Sequence, residues 1–551
     1  MSTIRPTSNG PAPLLPALHE AQSRDGSLTR ETLEAVASNM RVPFAELFQL
    51  ATFYHYFQVE DADSLSAGVC RGPICALPTA TPDHGNDARS ISCPGLCDQP
   101  IAQYDAGQFF TRPDGVGCFT PPASVDFEQA LFQHANRSST QGLEEYRGVR
   151  GYQQLIALVQ GESGDAALDL LQNSDLTGRG GAAFPLAAKW RAVQNSPETM
   201  KYLICNADEG EPGTFKDRPL LHLTPHLLLE AMTIGGYLIG AETGIIYLRY
   251  EYPEGQKVLT KAIAEAEEAG LLGSSIAGTD FNFRVHVIRG AGSYVCGEET
   301  VLLNSLEGRV PWPRERPPYP TASGLWGKPT VINNVETLCQ VPGILEKGAE
   351  WFRSLGREQN VGTKIYSVSG KVRRPGNYEL PLGITARELL MGYAGGPPDG
   401  RTVKAFTLGG ISGGLLRGDM LDLPLDYTAP AQYGASLGSG GLIMLDDSCC
   451  IVDFVRSCIL FYESESCGKC FPCRIGTTRL REQLDGLTGR GVPLGRTREQ
   501  IDELGSAMLS GSACGLGQTV PQVVRGMLSL FPDEFLEHMN ERCCRVGACP
   551  L

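Results

Sequence analysis

The sequence predicts a multi-domain α/β protein. Its 551 residues exceed what one hydrophobic core usually organises. Between residues 151 and 345, apolar runs of strand type alternate with amphipathic helical stretches, a rhythm typical of an α/β sheet. From residue 450 to about 535 the apolar spacing is helical again. No uninterrupted apolar run of about 18 residues occurs, so we expect no membrane span.

Composition excludes some classes of function. The net charge of −15 argues against a nucleic-acid surface, which needs a basic patch. The start of the chain lacks the basic and apolar regions of a secretory signal, so we expect a cytoplasmic protein whose thiols stay reduced. In that compartment, clustered members of the 18 cysteines are expected to be metal ligands or redox groups.

The elements can be predicted in order. Apolar residues recur at helical spacing after Thr29, a suitable N-cap, and Pro43 suits the first turn of the next helix. The runs at 201–207 (KYLICNA) and 244–250 (GIIYLRY) predict strands, and the run at 255–270 predicts a helix. Glycines and short strand-like runs that follow predict a small mixed domain.

Three cysteines near the C-terminal end form the pattern C-x2-C-x2-C. Cys467, Cys470 and Cys473 can direct three thiolates into one concavity, and a [4Fe–4S] cluster needs a fourth. The next cysteine is Cys514, in a loop of small residues. A structural zinc site or plain buried thiols are the alternatives, but zinc usually takes two C-x-x-C pairs. The spacing therefore favours iron–sulfur.

A glycine-rich loop formally fits a dinucleotide fingerprint. Gly178, Gly180 and Ala183 have the spacing G-x-G-x-x-A, but the preceding stretch ALDLLQNSDL has a helical pattern, so a standard Rossmann unit is not expected. The glycines can still bring backbone N–H groups to a phosphate, with charge from Arg179 and Lys189. A tight interdomain turn is the alternative.

Further polar motifs follow the loop. They are two acidic glycine-rich loops, CNADEGEPGTFKDR and GAGSYVCGEET, and the amide pair of INNVET. Each is also compatible with a solvated turn. Together, upstream of a predicted cluster, they suggest one composite redox-cofactor pocket.

The runs GRGGAAFP, CNADEGEPGTFKDR, GAGSYVCGEE, GLWGKPTVINNVET and ESCGKCFPCRIGT, in that order, closely resemble the flavin-bearing, NADH-oxidising subunit of respiratory complex I and its relatives. The resemblance implies FMN, NAD(H) and one [4Fe–4S] cluster held by Cys467, Cys470, Cys473 and Cys514. It implies FMN contacts at Gly178, Gly180, Lys189, Asn206, Asp208, Glu209, Tyr294, Gly297, Glu298, Asn333 and Asn334. It implies an NAD pocket at Phe184, Glu211, Glu299, Arg316 and Tyr319, in which Glu211 and Glu299 orient the nicotinamide. Ala183, Ala192 and Arg316 depart from the family's usual residues.

The N-terminal cysteines resemble the ligands of the thioredoxin-like [2Fe–2S] subunit of complex I. Cys70 and Cys75 form one pair and Cys93 and Cys97 the other, but only 17 residues separate the pairs, fewer than is usual. We therefore expect a trimmed domain that keeps its cluster. A degenerate domain without one is the alternative.

The fusion of these two units resembles the diaphorase (beta) subunit of soluble NAD-dependent formate dehydrogenases or of NAD-reducing hydrogenases. The run GGISGGLL favours the formate branch and implies a hetero-oligomer with a molybdenum or tungsten pterin subunit that carries further clusters. A hydrogenase or complex I-type subunit, or a scaffold without flavin, is the alternative. The expected domains are a helical segment (1–62), a thioredoxin-like [2Fe–2S] domain (63–123), a linker (124–150), a Rossmann-like FMN/NAD(H) domain (151–345), a small β-grasp-like domain (346–445), a helical [4Fe–4S] domain (446–540) and a mobile tail with three cysteines (541–551).

Overall fold

The computed structural model describes residues 14–59, 67–77, 89–105, 108–112, 115–116, 120–135, 142–161, 163–492 and 497–551. Within these residues the chain forms three β-sheets and a C-terminal group of helices, which confirms the predicted multi-domain α/β class. None of the described helices is both long and apolar enough to cross a membrane.

The N-terminal unit has three helices followed by a small sheet. Its elements are α1 (Leu14–Asp25), α2 (Arg30–Met40), α3 (Phe44–Phe53), β1 (Ala67–Cys70), β2 (Arg89–Ile91), β3 (Gln103–Asp105), β4 (Gln108–Arg112) and β5 (Gly115–Val116). Thr29 caps α2 as predicted, because its side chain accepts a hydrogen bond from the backbone N–H of Thr32 at 3.2 Å. Strand β1 pairs with β2 in parallel and with β3 in antiparallel orientation.

The described part of the segment expected as a linker (124–150) is attached to the following domains. It holds two short helices, α4 (Phe132–Ala135) and α5 (Leu143–Gly148). The Glu379 carboxylate accepts hydrogen bonds from the backbone N–H groups of Ala130, Leu131 and Phe132 at 2.7–3.0 Å. Leu131 and Phe132 are buried, so the described part of this segment is a packed arm.

The central domain is built on a four-stranded parallel sheet in the order β8-β7-β6-β9. Its elements are α6 (Gln153–Val159), α7 (Gly164–Asn173), α8 (Leu186–Gln194), β6 (Tyr202–Ala207), α9 (Asp217–Leu223), α10 (Pro225–Ile239), β7 (Thr243–Leu248), α11 (Pro253–Glu268), β8 (Arg284–Arg289), α12 (Glu299–Leu306), α13 (Pro320–Ser323), β9 (Thr330–Asn334), α14 (Val335–Lys347) and α15 (Ala349–Ser354). The strands predicted at 201–207 and 244–250 and the helix predicted at 255–270 are confirmed as β6, β7 and α11.

The glycine-rich loop lies between two helices, α7 and α8, and not between a strand and a helix. The expectation that this loop does not belong to a standard Rossmann βαβ unit is therefore confirmed. Helix α10 lies against β6, β7 and α14, and nearly all of its residues are buried. Such burial suits its predominantly apolar sequence. Its buried polar residues His226 and Glu230 are hydrogen-bonded to the hydroxyls of Tyr152 and Tyr146.

The small domain is a five-stranded mixed sheet in the order β11-β10-β14-β12-β13. Its strands are β10 (Thr363–Gly370), β11 (Gly376–Pro381), β12 (Val403–Thr407), β13 (Leu415–Arg417) and β14 (Gly441–Asp446). Only β10 and β14 pair in parallel. This arrangement confirms a small mixed domain.

The C-terminal domain is helical, as predicted. It consists of α16 (Ile451–Glu465), α17 (Phe471–Leu487), α18 (Thr497–Gly511), α19 (Gly515–Leu530) and α20 (Pro532–Leu536), followed by a π-helical turn (Glu537–Glu541). Helix α16 packs against α17 and α19.

The segment 541–551 folds back onto this domain, in contrast to the mobile tail expected. The Arg542 guanidinium donates a hydrogen bond to the carbonyl oxygen of Gly486 at 2.5 Å, and Arg490 donates one to that of Ala548 at 3.4 Å. Cys549 is buried. These contacts and the buried Cys549 attach the tail to the helical domain, although most of its other residues are exposed.

Candidate functional site

A cavity of about 450 Å³ opens where the parallel strands of the central domain end. Its residues follow the carboxyl ends of β6, β8 and β9, the edge at which parallel sheets usually bind ligands. The small domain and the start of α19 complete the wall. Its volume lies within the range of cofactor sites.

The structure brings together nine of the residues expected to contact FMN or NAD. Those that line the cavity are Gly180, Asn206, Asp208, Glu209, Glu211, Tyr294, Gly297, Glu298 and Asn334. The expected residues outside the lining are Gly178, Phe184, Lys189, Glu299, Arg316, Tyr319 and Asn333. Further lining residues, not singled out from the sequence, are Gly181, Ala182, Gly210, Thr214, Lys216, Asp217, Val295, Ser412, Ser436, Gly438, Ser439, Gly515, Leu516 and Thr519.

Two glycines of the lining occupy positions without room for a side chain. A Cβ on Gly180 would lie 3.0 Å from the Cβ of Asn334, and one on Gly297 would lie 3.2 Å from the carbonyl oxygen of Asp208. The glycines therefore leave the cavity free and expose backbone to it. Ala183 adopts a φ of 51°, a left-handed conformation in which glycine is less strained.

Asp208 leaves a carboxyl oxygen unpartnered in the cavity wall. Its Oδ2 is buried and has no hydrogen-bond partner among the described residues, and burial raises its pKa well above the usual range. Burial therefore favours the protonated carboxyl, which can donate a hydrogen bond. A bound group with polar edges would satisfy this orphaned atom.

Glu211 connects the cavity to the small domain. Its Oε1 accepts hydrogen bonds from the backbone N–H groups of Ile411 and Ser412 at 2.8 and 2.9 Å. Its Oε2 accepts one from the Tyr294 hydroxyl at 2.5 Å. Burial raises the pKa of Glu211 to about 7. The carboxyl is thus held in a single orientation beside the cavity.

Glu209 lines the cavity and organises the loop that follows β6. Its carboxylate accepts hydrogen bonds from the backbone N–H groups of Lys216 and Asp217 at 2.9 and 3.0 Å, and from the Tyr252 hydroxyl at 3.0 Å. Burial and the neighbouring charge of Asp217 raise its pKa to about 7. Glu209 therefore holds the conformation of this loop and also contributes a polar surface to the cavity.

Lys216 is a buried cation of the lining that sequence reasoning missed. Its Nζ lies 2.6 Å from Asp217 Oδ1, 3.0 Å from Glu336 Oε2 and 3.1 Å from Asn334 Oδ1. Burial alone would lower its pKa, but Asp217, Glu336 and Glu209 together raise the pKa well above the usual range. Its place in the run CNADEGEPGTFKDR was the available signal, but the acidic residues dominate the pattern of that run.

Arg179 and Lys189 do not supply charge to the glycine-rich loop in the way expected. Arg179 is fully buried, and its guanidinium donates to the carbonyl oxygens of Thr177, Val361 and Thr363. A guanidinium satisfies buried carbonyls well because it carries five N–H donors. Its position is thus decided by the interface between the central and small domains.

The Lys189 ammonium instead forms an ion pair. Its Nζ lies 2.5 Å from Glu299 Oε1 and 2.9 Å from the carbonyl oxygen of Ile332. Asn333 is outside the cavity lining, and its Oδ1 accepts a hydrogen bond from the Trp190 indole at 2.8 Å. Its contact with FMN stays a prediction.

The remaining expected residues are more exposed. Phe184 and Tyr319 are 54% and 59% exposed, which suits aromatic surfaces available to a ligand. The Nη2 of Arg316 lies 3.5 Å from Oε1 of Glu298, which lines the cavity. The Gly178 backbone N–H donates to the carbonyl oxygen of Phe184 at 2.9 Å and closes the glycine-rich loop.

The C-terminal cysteines converge at two helix starts. Cys470 is the N-cap of α17 and Cys514 the N-cap of α19. Burial raises the pKa of Cys473 to about 12, and the neighbouring thiols of Cys470, Cys514 and Cys467 act in the same direction. Helix starts favour negative charge, so they suit thiolate ligands.

This cysteine group adjoins the cavity. Gly515, Leu516 and Thr519 line the cavity, and they directly follow Cys514 along α19. The backbone N–H groups of Leu516 and Gly517 point to the Cys514 thiol and lower its pKa, against the larger effect of burial. The predicted cluster ligand is therefore the immediate neighbour in sequence of a residue of the cavity wall.

The four N-terminal cysteines also form one buried group. Cys70, Cys75, Cys93 and Cys97 are at most 8% exposed, and the Sγ atoms of Cys93 and Cys97 are 3.4 Å apart. The group touches the central domain, because the Gly213 backbone N–H donates to the Cys97 sulfur at 3.4 Å.

Arg249 joins the same two domains. Its guanidinium donates to the carbonyl oxygen of Cys93 at 2.5 Å and also to that of Glu209. The N-terminal cysteines are thus connected through one buried side chain to the lining of the cavity.

Comparison with known proteins agrees with this geometry. Residues 171–343 match the model of the Nuo51 FMN-binding domain, and 453–538 match that of the NADH-ubiquinone oxidoreductase-F iron-sulfur binding region. Residues 2–83 match the thioredoxin-like [2Fe-2S] ferredoxin model, and 365–415 match the SLBB domain. The fold class predicted from the sequence is therefore confirmed.

Several relatives are similar over most of the chain. It is 43% identical over 421 residues to an NADH-quinone oxidoreductase subunit of Rhizobium meliloti (strain 1021), and the match covers 76% of this chain and 99% of that one. It is 42% identical to the NADP-reducing hydrogenase subunit HndC of Solidesulfovibrio fructosivorans, over 74% of this chain and 83% of that one. A crystal structure of NAD+-reducing [NiFe]-hydrogenase in the H2-reduced state aligns with a TM-score of 0.80 at 30% identity, covering 97% of this chain and 94% of that chain.

The fold and the site thus define a flavin- and iron–sulfur-dependent, NADH-binding diaphorase subunit. The chain belongs to the family of the complex I flavin subunit, the NADH-oxidising component of NADH-quinone oxidoreductases, and carries a thioredoxin-like [2Fe–2S] domain at its N-terminal end. Its cofactors are FMN, NAD(H), one [4Fe–4S] and one [2Fe–2S] cluster. The described residues fit FMN, because they provide a side-chain-free glycine surface, a buried cation and an unpartnered carboxyl.

Proposed function

We propose that this chain is the diaphorase subunit of an NAD-dependent formate dehydrogenase that contains a molybdenum or tungsten pterin subunit. The observation that carries the proposal is the position of the cavity between two cysteine groups. One wall continues into Cys514, and Arg249 connects the other side to Cys93. Bound FMN would exchange a hydride with NAD and single electrons with the clusters.

The chain's own residues would bind and orient. Gly180, Asn206, Asp208, Tyr294 and Asn334 would hold FMN, with Lys216 as an additional cation of the wall. Hydrogen bonds to backbone N–H groups and to Tyr294 fix the orientation of Glu211, which would direct the nicotinamide. The role of Glu299 would be to fix Lys189, with which it pairs.

The NAD side would be more open. Phe184, Arg316 and Tyr319 would bind the dinucleotide at the exposed side of the site. Their exposure allows NAD(H) to enter and leave at each turnover. The cluster ligands would be Cys467, Cys470, Cys473 and Cys514, with Cys70, Cys75, Cys93 and Cys97 for the second cluster.

The formate branch is supported by one segment. The run GGISGGLL resembles that branch, and its residues Ile411 and Ser412 donate their backbone N–H groups to Glu211. The segment therefore contacts the cavity itself. All cysteines among the described residues are free, which supports a reducing, cytoplasmic location.

A second candidate is the diaphorase subunit of an NAD-reducing hydrogenase. It is favoured by the likeness to the [NiFe]-hydrogenase chain, which extends over 97% of this chain and so includes the N-terminal fusion. The two candidates share the NAD half-reaction. They differ in the partner subunit, which would oxidise either formate or hydrogen.

The test begins with the chain alone, reconstituted with FMN and clusters. We expect it to reduce an artificial dye with NADH, and to form no NADH from formate and NAD+. The overall reaction, formate + NAD+ → CO2 + NADH, should need the partner. NADH formation from formate by the isolated chain would contradict this division of labour, and failure to bind flavin would show a scaffold.

The partner is then identified by its metal. A tagged chain purified from its host should retain molybdenum or tungsten and should show NAD+-dependent formate oxidation. Nickel and hydrogen-dependent NAD+ reduction in the same preparation would instead establish the second candidate. Glu211→Gln should lower turnover in either case, whereas Glu198→Gln, at an exposed position in the loop between α8 and β6, should not.

A further inference from the structure

We propose that Cys450, His538, Cys544 and Cys549 form a zinc site that clamps the C-terminal tail to the helical domain. The thiol sulfurs and a ring nitrogen of these four residues all lie within 4.8 Å of one another. Three of the four side chains are buried and Cys544 is half-buried. Neither the flavin nor the two iron–sulfur clusters use any of these residues.

The distances agree with one tetrahedral ion. Zinc–sulfur bonds of about 2.3 Å and zinc–nitrogen bonds of about 2.0–2.1 Å place two sulfurs about 3.8 Å apart and a sulfur about 3.6 Å from a nitrogen. The Sγ atoms of Cys450 and Cys549 are 3.8 Å apart. The Nε2 of His538 lies 3.3 Å from the Cys450 sulfur and 3.5 Å from the Cys549 sulfur.

The histidine is oriented as a metal ligand. Its Nδ1 lies 2.8 Å from the backbone carbonyl oxygen of Glu534 and donates a hydrogen bond to it. The proton is thereby held on Nδ1, and the Nε2 lone pair is directed at the three sulfurs. A carbonyl partner of this kind is the usual support for a zinc-bound imidazole.

An iron–sulfur cluster fits this group less well than zinc does. The four ligands of a cluster bind two or four iron atoms around inorganic sulfide, so as a set they need more separation than four ligands of one ion. The present ligand atoms surround a space sized for a single ion. A set of three cysteines and one histidine is also a common composition for structural zinc.

The site would join parts of the chain that are distant in sequence. Cys450 is the N-cap of α16, directly after the small domain's strand β14, whereas Cys544 and Cys549 belong to the tail. Because zinc has no redox chemistry, its role here would be to hold the tail and the start of α16 in place. The sequence showed no further cysteine near the tail, since Cys450 precedes it by more than 90 residues.

The first experiment measures metal content in the purified full-length protein. We expect about one zinc per chain in addition to the iron of the two clusters. The variants Cys544→Ser and His538→Ala should lose most of this zinc and keep their iron and flavin. The control Cys543→Ser changes an exposed neighbouring thiol and should keep the zinc.

A second set of measurements begins with the wild-type protein. A thiol-modifying reagent added to wild-type protein should release zinc, detected by a chromogenic chelator. Cobalt incorporated in place of zinc should give the visible absorption of a tetrahedral thiolate site, absent from Cys544→Ser. A wild-type protein without zinc after growth in zinc-supplemented medium, zinc retained in both ligand variants, or a third iron–sulfur cluster at these cysteines would overturn the proposal.

Discussion

Asp208 shows at the scale of one residue how burial prepares a site for a ligand. Its Oδ2 has no partner among the described residues, and its pKa is raised well above the usual range by burial. A neutral carboxyl costs less to bury than a carboxylate, and it can both donate and accept hydrogen bonds. The protein alone therefore leaves this group unsatisfied.

We expect Asp208→Asn to keep FMN and Asp208→Ala to lose affinity for it. The asparagine amide has the shape and the donor group of the neutral acid. The dissociation constant for FMN should therefore stay within about threefold of the wild-type value in Asp208→Asn and should rise about tenfold in Asp208→Ala. Titration of the apoprotein with FMN, followed by flavin fluorescence, measures both. Equal affinities for the alanine variant and the wild type would exclude a direct contact.

Cys514 tests the remote ligand of the cluster. We expect Cys514→Ser to lose most of the iron of the [4Fe–4S] cluster, because three thiolates hold it poorly. Reduction of a dye by NADH should persist in part, while electron exchange with the partner subunit should fall at least about tenfold. Cys458→Ser, at a buried cysteine of α16, is the matched control and should keep its iron. Full partner-linked turnover in Cys514→Ser would refute the assignment.

At the scale of elements, a single carboxylate holds in place a segment whose described backbone pairs with no strand or helix. The Glu379 carboxylate on β11 accepts hydrogen bonds from three successive backbone N–H groups of the arm. It also accepts one from the Thr363 hydroxyl at 2.7 Å. Such donors at a short segment otherwise remain unsatisfied when buried. The arm is consequently held by a side chain from the small domain.

We expect Glu379→Gln to loosen the arm. The glutamine amide would place an N–H donor against the backbone N–H groups of the arm. The lost hydrogen bonds should destabilise the attachment of the arm by about 1–3 kcal/mol. Hydrogen exchange of residues 130–132, measured by mass spectrometry, should become faster. Glu388→Gln, at a more exposed carboxylate, is the control and should leave that exchange unchanged. Unchanged protection in Glu379→Gln would show that apolar packing alone holds the arm.

At the scale of the whole molecule, Glu465 at the end of α16 joins three domains. Its carboxylate accepts hydrogen bonds from Ser92 Oγ and from the Tyr294 backbone N–H, both at 2.8 Å, and lies 3.5 Å from His55 Nε2. Burial alone would raise the pKa of Glu465, but His55 and these donors hold it below its usual range. The N-terminal, central and helical domains thus all contact the carboxylate of Glu465.

This contact predicts a pH dependence. Glu465, and more weakly Glu251, raise the pKa of His55 above 6.5. The stabilisation of the folded state by the His55–Glu465 pair is therefore complete below about pH 6.5. It is lost as the pH rises through the folded-state pKa of His55. It is also lost in acid, as the pH falls through the lowered pKa of Glu465.

We expect His55→Gln to lower the melting temperature more at pH 6 than at pH 9. The effect should be at most about 1 kcal/mol, because the His55 side chain is 38% exposed and solvent screens it. His19→Gln should show the opposite pH dependence, because burial lowers the pKa of His19 to about 4 and only the unfolded chain binds a proton at this residue near pH 6. The same change at pH 6 and pH 9 for His55→Gln would contradict the charged pair.

Much of the cofactor chemistry could be predicted from short-range patterns. The cysteine spacing, the helix before the glycine-rich loop and the five runs around the cavity each involve residues close in sequence, and local geometry is encoded at that range. Arg179, Lys189 and Asn333 could not be placed in this way. Their side chains are directed by neighbours from other elements, which no local pattern shows.

The sequence by itself determined the class of fold, the cofactors and the cysteine groups that would hold the clusters. Only the tertiary structure decided which domains meet, where Lys216 lies, and that Cys450 joins His538 and the tail. The physical reason is range: hydrophobic periodicity and ligand spacing act over a few residues along the chain. Contacts such as those of Cys97 with Gly213, or Cys450 with Cys549, exist only after separate domains have packed.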